Sequence, residues 1–110
     1  MNSALETEIL QLHAEICAGL ADPNRIMILY ALSQEPRNVT EIYSELDMPQ
    51  PLVSRHLKVL RERGMVTAER HGTVIVYRLA DVRLIQALDL LRAVMHDNLA
   101  KRAKLVTALS

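Results

Sequence analysis

The chain has 110 residues, half of them apolar, which supports one modest hydrophobic core and excludes two conventional domains, so 1–110 reads as a single domain. Acidic and basic side chains balance at 13 each, which excludes bulk charge as a reason to bind nucleic acid and leaves the arrangement of charge to decide. Trp and Phe are absent and Tyr occurs three times, which argues against base-stacking platforms for single strands, and no apolar run nears the ~20 residues of a membrane span, so a cytoplasmic, non-membrane chain is expected.

In chain order, Leu5, Ile9, Leu12, Ile16 and Leu20 recur at spacings of three and four, one face of an amphipathic helix over 4–20. That helix holds Cys17, the only cysteine, so no intrachain disulfide is available and a reducing compartment fits. Asp22-Pro23 supplies an N-cap and a first-turn proline for a second helix running to about Ser33. After the interruption at 34–38, Thr40 is expected to cap a short third helix through Leu46, ended by Asp47-Met48-Pro49. A fourth helix spans Gln50–Arg63, with Val53, Leu57 and Leu60 as its apolar stripe and Gly64 as its C-terminal turn. Met65–Arg70 and Thr73–Leu79 flank His71-Gly72 as a β-hairpin with a basic tip. Asp81 then caps a long last helix, 81–108, striped by Leu84, Leu88, Leu91, Met95 and Leu99. The expected fold is mainly α with a small hairpin, in the order α-α-α-α-β-β-α, a winged helix-turn-helix.

Charge follows the same map. Residues 1–54 carry two arginines against eight acids, net −6, whereas 55–78 carry six Lys/Arg against Glu62 and Glu69, net +4. Gln50, Pro51, Ser54 and Arg55 occupy the end of the fourth helix that would enter a major groove, where Gln can pair with adenine, Arg with guanine, and Ser with a base or phosphate. Lys58 and Arg61 continue that face, and Arg70 and His71 at the hairpin tip suit the adjacent minor groove or its phosphates. His56 is counted with this set, although a place inside the motif, packed or hydrogen-bonded, fits its neighbours equally well. Arg63 and Arg78 are read as neutralising the DNA backbone or simply solvated.

The run Gln50-Pro51-Leu52-Val53-Ser54-Arg55-His56-Leu57-Lys58-Val59-Leu60-Arg61-Glu62-Arg63-Gly64 resembles the recognition-helix signature of the ArsR/SmtB family of bacterial repressors. Residues 18–26 resemble that family's approach to its second helix, and 72–79 its wing. The resemblance implies a homodimer joined through helices 4–20 and 81–108, with Leu5, Ile9, Leu12, Ile16, Leu84, Leu88, Leu91 and Met95 at the interface. It also implies an inverted-repeat operator in double-stranded DNA and repression relieved by an inducer.

Metal sensors of that family place cysteines at positions matching Asn38, Thr40 and Tyr43, or carboxylate and imidazole ligands at positions matching Asp81, Arg83, Val94 and Asp97. Neither ligand set is present in the sequence, so no metal or other cofactor is expected. His13 and Cys17, with His96 on the last helix, form a weaker candidate for a thiolate–imidazole metal or redox switch, set against a cysteine acting as a small hydrophobe. Rival readings are a winged-helix module that docks an acidic protein and an enzyme. The latter lacks a phosphate loop, a nucleophile with a base, or paired carboxylates, so no catalysis is expected.

Overall fold

Hydrogen bonds at the helix ends set the boundaries along the chain. In the computed structural model, which describes residues 1–109, the elements are α1 (Ser3–Leu12), a π-helical turn (His13–Cys17), α2 (Pro23–Gln34), β1 (Arg37–Asn38), α3 (Val39–Leu46), α4 (Gln50–Glu62), β2 (Val66–His71), β3 (Val74–Leu79) and α5 (Arg83–Leu109). Asp22 accepts from the Asn24 N–H at 2.8 Å to open α2, with Pro23 in the first turn. Asp81 does the same for Arg83 at the start of α5. The fourth helix ends at Gly64, whose φ of 72° is the left-handed conformation that glycine adopts without a Cβ penalty.

Three expectations need correction. The cap of α3 is Asn38, not Thr40: Asn38 accepts from the Glu41 N–H at 2.9 Å while Glu41 accepts from the Asn38 N–H at 3.0 Å, a reciprocal capping box. The same asparagine belongs to β1, a strand too short to show a periodicity. It pairs antiparallel with β3 through Arg37↔Tyr77 and Asn38↔Val76, which turns the expected hairpin into a three-stranded sheet of order β1-β3-β2. The first helix is not one regular helix over 4–20, because α1 gives way at His13 to a π turn closed by the Ala18 N–H on the His13 carbonyl. The result is the winged helix-turn-helix arrangement, with α3 and α4 as the pair and β2–β3 as the wing.

The core is built under α4. Val53, Leu57 and Leu60 are fully buried against Ile28 and Leu29 of α2, Ile42 of α3, and Met65 and Val66 leading into the wing. Burying a side chain of this size stabilises by about 1.5–3 kcal/mol. Leu88, expected at a dimer interface, is instead 6% exposed and belongs to this core. The physical reason is its position on the first turns of α5, which lie over α2. Ile16 and Leu84 pack at the edge of the same core.

Among the described residues His56 is the one buried polar side chain, 6% exposed. Its Nδ1 lies 3.4 Å from Arg25 Nη1, and its Nε2 lies 3.8 Å from Asp22 Oδ2, without a hydrogen-bond partner. A guanidinium only donates, so Nδ1 is the acceptor and the neutral ring carries its proton on Nε2. Burial pushes the His56 pKa below its ordinary value; Asp22 opposes the push, and Arg25 and Arg55 add to it. With the native pKa depressed, acidification protonates the unfolded chain first. The stability His56 contributes is therefore in place above about pH 6.5 and is lost as pH falls below it. Urea unfolding at about pH 7.5 and 5.5 should show wild type losing more stability on acidification than His56→Gln. Equal losses in the two proteins would rule this role out.

Candidate nucleic-acid interface

Burial of Val53, His56, Leu57 and Leu60 turns the opposite side of α4 to solvent. Gln50, Pro51, Ser54, Arg55, Lys58 and Arg61 are all exposed there. The helix opens after Pro49 with no side-chain cap, so its first turn presents the positive end of the helix dipole beside Gln50 and Ser54. A groove beside this face is lined by Ser54, Leu57, Lys58, Arg61 and Glu62 on α4 and by Tyr77 of β3, which brings the wing alongside the helix. At the wing tip Arg70 and His71 are exposed, and Gly72 turns with a φ of 65°.

The cations of this face and those of the domain behind it are engaged differently. Among the described residues, no acid pairs with Arg55, Lys58, Arg61 or Arg70. Arg37, by contrast, bonds the Ala31 carbonyl and Gln34 and pairs with Glu45. Arg83 clasps Asp81, and Arg92 reaches Asp89 and the ring of Tyr30. At the wing, His71 and Arg78 both approach Glu69, at 3.6 and 4.0 Å.

Two residues depart from expectation. His56, counted among the DNA contacts, is sealed in the core and faces Asp22 and Arg25, so it supports α4 from behind. Arg63, read as neutralising DNA or solvated, donates to the carbonyls of Ala14 and Glu15. The Tyr30 hydroxyl donates to Asp89 at 2.6 Å and ties α5 to α2, a contact that no sequence motif signals. Its partners are 59 residues apart, beyond the reach of any local pattern.

The positions at which metal sensors resembling this chain carry ligands do not fit a metal. Asn38 is engaged in the capping box, and the Asp81 carboxylate is taken up by the Arg83 guanidinium fork and the Arg83 N–H, which hold its pKa down to about 2. Val94 offers no donor atom. His13 and Cys17 are both exposed, and among the described residues no three His, Cys, Asp or Glu side chains converge within a protomer. Nor is any helix among them long and apolar enough to cross a membrane.

Comparison with known proteins agrees with this geometry. Residues 22–68, from the cap of α2 into the wing, match the family described as bacterial regulatory protein, arsR family. The chain is 46% identical over 89 residues to the HTH-type transcriptional repressor SmtB of Mycobacterium tuberculosis, a match spanning 81% of this chain and 64% of that repressor, so it covers somewhat under two thirds of that relative's length. It is 37% identical over 96 residues to the regulator NmtR of the same organism, covering 87% of this chain and 78% of NmtR. Among solved structures, a homodimeric winged helix-turn-helix DNA-binding domain from Mycobacterium bovis superposes with a TM-score of 0.74 at 30% identity, covering 86% of this chain and 87% of that one. The family is one of transcriptional regulators and not of enzymes, and with its motif, fold and relatives in agreement, this chain belongs to the ArsR family of bacterial regulatory proteins.

Proposed function

We propose that this chain is a sequence-specific, double-stranded-DNA-binding transcriptional repressor that works in the cytoplasm as a homodimer on an inverted repeat. The observation that carries the reading is the exposed face of α4, where Arg55, Lys58 and Arg61 have no acidic partner among the described residues and stand beside Gln50 and Ser54. Arg55 and Gln50 at the helix start read base edges, while Lys58, Arg61 and the wing residues Arg70 and His71 hold phosphates. Residues 1–110 act as one domain. α1 with the π turn after it, and α5, join two copies and set their α4 helices about 34–36 Å apart, one turn of duplex.

Support for the dimer comes from what α1 and α5 leave uncovered. No residue of α1 is buried, and α5 buries only Leu88. Leu5, Ile9 and Leu12 on α1 and Leu91 and Met95 on α5 remain exposed, the last two at 62% and 51%. Stripes of that kind mark an association surface.

Selection of random duplexes on the purified protein tests the reading: enrichment of an inverted repeat with half-sites one turn apart is expected, and no enrichment overturns it. On the selected site, Arg55→Ala should cost about 1–3 kcal/mol and relax base preference, whereas Lys58→Ala should weaken all duplexes alike and lower the salt slope by about one. Equal losses on selected and random DNA for Arg55→Ala would contradict its base-reading role. Leu91→Asp should yield folded monomers by sedimentation with weakened operator binding. Leu88→Ala should instead cost about 2–5 kcal/mol in urea unfolding, as a core truncation does.

A further inference from the structure

We infer that Arg63, together with Arg25, is a positioning residue: the two arginines clamp the backbone between His13 and Gly19 and so fix the angle between α1 and α4, which in the dimer sets the half-site spacing. The inference rests on the dimeric, operator-binding reading above.

The π turn and the loop after it, closed internally by backbone bonds such as the Ala18 N–H on the His13 carbonyl, are tied to the rest of the domain by side-chain donors from elsewhere. Arg63, the residue after α4, donates through Nη1 to the carbonyls of Ala14 and Glu15. Arg25, in the first turn of α2, donates through Nη2 to the Ala18 carbonyl at 3.1 Å and through Nε to the Gly19 carbonyl at 2.7 Å. Its remaining nitrogen, Nη1, meets His56 Nδ1 on the buried side of α4. Both arginines therefore lead back to α4, one from its end and one through its buried histidine.

Gly19 makes the close approach workable. A Cβ there would lie 2.7 Å from Met65 Sδ and 3.0 Å from Arg63 Cδ. Because α1 buries none of its own residues, its direction relative to α4 depends on this clamp and on the packing of Ile16 and Leu20 at the core edge. A dimer docked through α1 carries any change of that angle outward to both α4 helices. Arg63 is thus turned away from DNA and acts on specificity through geometry.

The test uses the full chain and duplexes carrying the selected half-sites with spacers varied one base pair at a time, titrated at several salt concentrations. Wild type should show a sharp spacer optimum. Arg63→Met keeps the aliphatic stem and removes the donors; it should cut the advantage of the best spacer over its neighbours at least about fivefold, with dimerisation and salt slope unchanged. Arg63→Lys, which retains a donor, should fall between the two. Gly19→Ala presses on the same clamp from the other side and should broaden the profile likewise, so the inference stands or falls even where one variant folds poorly. An unchanged spacer profile overturns it. So does a uniform loss on every spacer with the salt slope lowered by about one, the mark of a phosphate contact. A wild type with no spacer optimum overturns the dimeric reading itself and the inference with it.

Discussion

Helix α4 has to do two incompatible things at once: hold firmly to the domain and leave a polar, cationic face bare. Outside Val53, His56, Leu57 and Leu60, its solvent side is built from Gln50, Ser54, Arg55, Lys58 and Arg61, which add nothing to the core. The grip therefore comes from one narrow stripe. Ile28, Leu29 and Ile42 form the surface that receives the stripe, and the capping box of α3, the proline start of α2 and the β1–β3 pairing serve to hold that surface in place. Placing a histidine in the stripe makes part of the grip polar, and that histidine is where Arg25 attaches.

Arginine is the residue through which a neutral chain separates structure from recognition. Arg25, Arg37 and Arg63 satisfy backbone carbonyls at chain turns, where one planar fork can serve several acceptors. Arg55, Arg61 and Arg70, with Lys58, are left without acids. The charges that matter to a phosphate lie within about a Debye length, ~8 Å at physiological salt. On α4 the sole acid is Glu62, at its last turn, so the face is locally cationic although the whole chain sums to zero.

The sequence made legible whatever depends on local periodicity or turn chemistry. The five helices, the turns at Gly64 and Gly72, the proline starts and the split of α4 into apolar and polar sides all follow from neighbours within a few positions. What it hid depends on distant partners. Asn38 displaced Thr40 as a cap because strand β3 lies beside it, and Leu88 entered the core because α5 starts over α2. The stripe of α5 gave no sign of where core ends and exposed face begins, since both are apolar at the same period. Arg63 reads as neutralising the DNA backbone or simply solvated because it closes a basic helix. Its use on Ala14 and Glu15 spans nearly 50 positions and needed the π turn, which no residue pattern announced.

The shape of the protomer bears on its assembly. Its radius of gyration is 17.5 Å, against about 13 Å for a globular chain of this length. Its accessible surface, 7865 Å², exceeds by about 1,700 Å² the ~6,100 Å² typical of a folded monomer of 12.4 kDa. α1 buries no residue and α5 none beyond Leu88, and the apolar stripes of both face solvent. A stable interface of standard size removes roughly 800 Å² from each partner, and obligate dimers remove more. A second copy docked along both terminal helices would return the surface to the range of a well-packed protein. Such a dimer leaves the face of α4 and the wing free, because neither belongs to those helices, and it makes the link between α1 and α4 the part of the protomer that relates one reading head to the other.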